Sequence, residues 1–138
     1  MENYILGKSL GAGSFAEVFE CQDKRTLEVF AVKRMLQATG ETDEAETNKI
    51  LSVIPHFGLP YLHETFVDSQ GRQCIVQELI SGVSLHDYIL TMRVETQYIP
   101  VVPEEAIKMI LRQLLSAERF CHLRGIAHQD IKTDNIYI

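Results

Sequence analysis

A chain of 138 residues with 46% hydrophobic and 23% charged side chains holds enough apolar content for a folded core and too much for a disordered tail, so one globular domain, or part of one, is predicted. A formal net charge of −6 excludes a broad basic footprint for nucleic acid or an anionic membrane, and leaves room only for a local basic pocket. Cys21, Cys74 and Cys121 are odd in number, far apart and without a CxxC pair, which argues against a disulfide framework or zinc site and for a reducing compartment. The first residues lack a basic segment followed by a long apolar run, and no stretch of about 18 apolar residues occurs. The sequence therefore reads as cytosolic or nuclear, with no membrane partner.

In chain order, short runs of alternating apolar and polar residues cover 4–10, 17–22 and 27–34 around glycine-rich and charged turns, the pattern of an antiparallel meander. Beyond Gly40 the period becomes helical over 43–54, and Pro55 and Gly58 end it. Two further strands, 61–67 and 73–79, flank Asp68-Ser-Gln-Gly71-Arg, which predicts a hairpin turn. Ser81-Gly82-Val83 reads as a hinge and 85–92 as a short helix. The clearest helix begins at Pro103 with Glu104 and Glu105 in its first turn; Ile107, Ile110, Leu111, Leu114 and Leu115 recur at helical spacing until Gly125. Strands first and helices afterwards predict an α+β fold in two lobes.

Chemistry concentrates at three places. Gly11-Ala-Gly13-Ser-Phe15-Ala16 can bring backbone N–H groups close to phosphate oxygens. A dinucleotide-binding turn would need a helix directly afterwards. Here Glu17-Val-Phe-Glu-Cys-Gln alternates like a strand, so the glycines read as a hairpin lid. Lys33 ends the apolar strand Val29-Phe-Ala-Val32, where its ammonium would reach phosphates beneath that lid. A carboxylate should fix it, and Asp43, Glu44 and Glu46 are candidates. Glu46 shares a helix face with Ile50 and Val53 and is preferred on that ground, although the acidic cluster could equally complement the helix dipole. The third place is His128-Gln-Asp130-Ile-Lys132-Thr-Asp-Asn135, where a carboxylate, an ammonium and an amide lie on one short loop.

The last string resembles the catalytic loop of eukaryotic-type protein kinases, and the glycine-rich loop and Ala31-Val-Lys33 strand stand upstream in the order that family shows. The resemblance implies a small lobe of five strands and one helix, followed by the first helices and catalytic loop of a large lobe, with a boundary near residue 80. It implies ATP and Mg2+ as cofactors and a protein hydroxyl as acceptor. Asp130 would be the catalytic base, Lys132 would neutralise charge on the transferred phosphoryl group, and Asn135 would hold magnesium. His128 would be an internal, structural imidazole. Lys132 marks a serine/threonine kinase, and the string from Asp130 to Ile136 is similar to the NIMA-related group. Leu10, Gly11, Gly13, Val18 and Ala31 would enclose the nucleotide, the backbones of Glu78 and Ile80 would read the adenine edge, Gln77 would stand at the gatekeeper position, and Lys33 with Glu46 would complete the site.

Three departures bear on activity. Ala16 replaces the third glycine of the loop, a small change. Gln129 replaces the usual arginine, and a neutral amide pairs weakly with phosphate, so control by a phosphorylated activation segment is not expected. No Asp-Phe-Gly motif follows Asn135 within these residues. Phosphoryl transfer by this stretch alone is therefore not predicted. Ile110, Leu111, Leu114 or Phe120 should remain partly exposed on the long helix, which predicts instability or a covering protein partner. The readings that remain are a serine/threonine kinase of which this is the front part, or a catalytically inactive pseudokinase or regulatory module that binds nucleotide; an unrelated nucleotide-binding fold is disfavoured by the strand after the glycines.

Overall fold

The structure, a computed structural model, describes residues 2–38, 40, 42–96 and 102–138, except for the side chains of 93–96. It consists of two compact units, Met1–Leu79 and Ile80–Ile138. The first contains β1 (Tyr4–Ala12), β2 (Ala16–Asp23), β3 (Val29–Met35), α1 (Asp43–Ser52), β4 (Leu62–Val67) and β5 (Gln73–Glu78). The five strands form one antiparallel sheet in the order β1-β2-β3-β5-β4.

Alternation along the strands divides the apolar residues between two cores. Tyr4, Cys21, Val32, Cys74 and Val76 are buried together, with Phe19, Phe30 and Phe66 packed against them. This cluster is made of strand residues only, and the Tyr4 and Phe66 rings stack at 6.0 Å. On the other face Ala45 of α1 packs with Leu62 and Ile75. Helix α1 starts because the Thr42 side chain accepts the Ala45 N–H at 3.3 Å, a standard N-cap. It ends at Ser52, two residues short of the predicted stop, and Val53 and Ile54 are exposed.

The β4–β5 turn is fixed by Asp68. Its Oδ1 accepts the N–H groups of Gln70 and Arg72 at 2.9 and 3.0 Å, and its Oδ2 accepts from Arg72 Nε and Nη2 at 2.8 and 2.7 Å. The Asp68 side chain is only 3% exposed.

The second unit holds α2 (Leu85–Thr96), α3 (Glu104–His122) and the 3-10 turn η1 (Thr133–Asn135). Ser84 caps α2: its hydroxyl accepts the Asp87 N–H at 3.0 Å and donates to the Asp87 carboxylate at 2.7 Å. On α3, Ala117 and Cys121 are buried and Ile110, Leu114 and Phe120 half-buried, whereas Ile107, Leu111 and Leu115 are exposed. The expectation that this apolar face stays partly open thus holds at Leu111. Arg124 closes the helix, lying 3.5 Å over the Phe120 ring and donating to the Phe120 carbonyl at 3.0 Å. Among the described residues no helix is long and apolar enough to cross a membrane.

All three cysteines are buried free thiols, and burial pushes each thiol up, Cys21 to about 11. Their thiolate fraction near neutral pH is therefore small and access is blocked. An aromatic disulfide reagent at pH 8 is expected to label the native chain about a hundredfold more slowly than the denatured one, which should release three equivalents. Fast native labelling of any one thiol would contradict the packing described.

Candidate functional site

The glycine turn joins β1 to β2 as the sequence predicts. The Gly13 N–H donates to the Ala16 carbonyl at 2.8 Å, and the Phe15 carbonyl accepts the Leu36 N–H at 2.9 Å, tying the tip to the end of β3. Residues 11–15 are all exposed. Gly11 is opposite Val18, Val18 opposite Lys33, Glu20 opposite Ala31, Ala31 opposite Gln77, and Lys33 opposite Ile75. Opposite residues share a face and alternate residues return to it. Gly11, Val18, Ala31, Lys33 and Gln77 therefore lie on one face of the sheet, the face on which Ile75 receives α1. Leu10 sits at a register shift between Ser9 and Gly11 and is 41% exposed. Glu78 closes β5, donating its N–H to the Tyr61 carbonyl at 2.8 Å, and Ile80 opens the second unit.

Lys33 is paired, but with a different carboxylate from the one preferred on sequence grounds. Its Nζ lies 2.6 Å from Glu44 Oε1, whereas Glu46 is exposed. The error has a clear cause. Periodicity alone makes Ile50 and Val53 mark the inward face, yet they are 45% and 79% exposed. Ala45, with no exposure, marks it instead, and Glu44, Asn48 and Leu51 recur beside it at helical spacing. Glu46 is two residues further on, roughly 200° around the helix from Glu44. A small residue within an acidic run was the available signal. Asn48 adds a bond from its Nδ2 to the Glu44 carbonyl at 2.9 Å.

In the second unit the loop 128–135 gathers around Asp130. Lys132 Nζ is 2.9 Å from Asp130 Oδ2, and Asn135 Nδ2 donates to the same oxygen at 2.9 Å and to the Asp130 carbonyl at 2.8 Å. These bonds, that of Lys132 first, hold the Asp130 carboxyl below its ordinary value, and the carboxylate raises Lys132 in turn. His128 is exposed rather than internal, and its Nδ1 accepts the Asp130 N–H at 3.3 Å. Gln129 adopts φ 63°, which turns the chain between them. Sequence reasoning named Asp130, Lys132 and Asn135, and the structure brings all three into contact.

Comparison with known proteins agrees with this geometry. The family model described as protein kinase domain matches residues 4–138. The chain is 28% identical over 138 residues to the testis-specific serine/threonine-protein kinase 3 of Homo sapiens, covering 96% of this chain and 48% of that protein. It is 30% identical over 141 residues to the probable serine/threonine-protein kinase MARK-B of Dictyostelium discoideum, covering 100% and 19%. It is also 29% identical over 143 residues to CBL-interacting protein kinase 30 of Oryza sativa subsp. japonica, covering 100% and 28%. The chain thus spans about half or less of the length of these relatives. With the glycine turn, the Lys33 strand and the Asp130 loop in register along one continuous match, the chain belongs to the protein kinase domain family.

Proposed function

We propose that this chain is the ATP-binding front part of a protein serine/threonine kinase domain that transfers the γ-phosphoryl group to a protein hydroxyl. On this reading residues 1–80 are the small lobe with its hinge, and 81–138 begin the helical large lobe. The observation that carries it is the Lys33–Glu44 pair on the sheet face shared with Gly11, Val18 and Ala31. An ammonium held by a carboxylate beside a glycine turn is suited to neutralising phosphate oxygens.

In the catalytic loop, Asp130 accepts the hydrogen bond of the substrate hydroxyl and orients its lone pair. Lys132 offers positive charge to the transferred group. Asn135 uses Nδ2 on Asp130, which leaves its carboxamide oxygen as a hard donor suited to magnesium. When bound, Mg2+ supplies charge neutralisation on the nucleotide phosphates. Glu78 and Ile80 are assigned the adenine contacts, and Leu10 and Gly13 the cover over the nucleotide. Buried free thiols fit the cytosol or nucleus.

A thermal-shift titration with Mg-ATP tests the reading. At saturation the melting temperature of the wild-type chain should rise by about 5 °C or more. Lys33→Ala should abolish that rise, Glu44→Gln should reduce it, and Glu46→Gln should leave it unchanged. No shift in the wild type would remove the nucleotide-binding reading; an equal shift in Lys33→Ala would remove the assignment of Lys33.

A further inference from the structure

The residues directly after Asn135 do not trail away from the catalytic loop. Val83 N–H donates to the Ile138 carbonyl at 3.3 Å, Ile138 N–H to the Val83 carbonyl at 3.1 Å, and Leu85 N–H to the Ile136 carbonyl at 2.7 Å. Ser84 and Tyr137 form the antiparallel bridge between these segments. The same Ile136 donates its N–H to Thr133 across η1, and Asn135 donates its own to Lys132. A continuous set of backbone bonds thus runs from the start of α2 to Asn135, whose side chain holds Asp130.

Gly82 stands where this ladder begins, and any side chain there would be strained. Its φ is 128°, a region that side chains with a Cβ rarely adopt. Independently, a Cβ at this position would lie 2.5 Å from the Ile138 carbonyl oxygen and 3.3 Å from its carbon. Both atoms are backbone, so a methyl group at 82 must displace either the hinge or the segment 136–138.

We propose that Gly82 is a positioning residue for the catalytic loop: its bare Cα lets residues 136–138 seat against 83–85, and that seat holds Asn135 in place to orient Asp130. The role of Asp130 and Asn135 rests on the kinase reading above, whereas the mechanical link does not. Local opening rather than global unfolding is the expected consequence of losing it.

The test compares the 138-residue chain with its Gly82→Ala variant, reading amide hydrogen exchange at Leu85 and Ile138 and the NMR resonances of the Asn135 side-chain amide. Ala117 and Cys121, buried on α3 of the same unit, report whether that unit remains folded. In Gly82→Ala, exchange at Leu85 and Ile138 should rise about tenfold or more, the Asn135 amide should move towards the position of a free carboxamide, and Ala117 and Cys121 should keep their protection. Unchanged exchange at Leu85 overturns the proposal. So does faster exchange at Leu85 with an unmoved Asn135, since Gly82 would then only shape the hinge. Ile138→Pro removes one ladder donor without touching Gly82, and should move the Asn135 amide in the same direction. An unmoved Asn135 there overturns the proposal even if Gly82→Ala fails to fold. Neither readout uses nucleotide, so failure of Mg-ATP to bind would count against the kinase reading alone.

Discussion

Asp130→Asn is expected to lower phosphoryl transfer by about a thousandfold in a protein that carries this chain together with the rest of a kinase domain. Mg-ATP affinity should stay within about twofold, because the loss falls on the transition state rather than on uniform binding. On the reading proposed above, the geometry of the loop accounts for so large an expected effect. The Asp130 carboxylate is a shared acceptor for Lys132 and Asn135. An amide at 130 is neutral and, in one orientation, turns a donor towards the Lys132 ammonium. It neither accepts the hydroxyl proton nor anchors the charge that Lys132 presents.

The pH profile sharpens this expectation. The folded carboxyl is lowered from its ordinary 3.8, so the carboxylate is favoured and Asp130 is ionised throughout the neutral range. No loss of rate should trace to its protonation until the pH falls below that ordinary value. A carboxylate so stabilised is a weak base, which suits a group that orients a hydroxyl and takes its proton late. Steady-state kinetics of wild type and Asp130→Asn across pH decide the matter: equal activity in both would sink the assignment.

Asp68→Ala is expected to destabilise the first unit by about 2 to 3 kcal/mol, a loss of roughly a hundredfold in its folding equilibrium. Removing the side chain deletes two backbone acceptor bonds and leaves the Arg72 guanidinium, which is 21% exposed, without the carboxylate it grips. Arg72's access to solvent keeps the cost below that of a fully buried broken pair. The Asp68 carboxyl is lowered to about 2, chiefly by the Arg72 hydrogen bond. A depressed folded pKa contributes stability that is complete above the unfolded value, near 4, and is lost as pH falls towards 2. Urea unfolding of wild type should therefore weaken over that window, while Asp68→Ala should show a flatter dependence there. Parallel pH curves would show that the pair contributes nothing of the kind.

The strands are legible because alternation is a local signal, whereas the pairing register, shifted between Leu6 and Gly11 and between Leu62 and Glu64, is not. Parity puts Ala31 and Lys33 on one face, and the register that sets Val18 opposite Lys33 adds Val18 to it. The Asp130 loop was legible because its three groups are close in sequence. Helix α1 was misread for a physical reason: Ile50 and Val53 are apolar but open to solvent, while a single alanine defines the packed side. Gly82 was seen only as part of a hinge, since its constraint comes from Ile138, a distant residue whose approach no local pattern encodes. The exposed His128 was likewise beyond reach, because it depends on a backbone turn at Gln129.

The small apolar footing of α1 also decides how that helix responds to its surroundings. Burying one alanine methyl contributes about 1 kcal/mol, a small apolar anchor for a helix of ten residues. Its placement therefore leans on the half-exposed Lys33–Glu44 bond, which added salt weakens. The ammonium that Glu44 holds is also the group proposed to meet phosphate, so the seat of α1 and the readiness of Lys33 depend on the same bond.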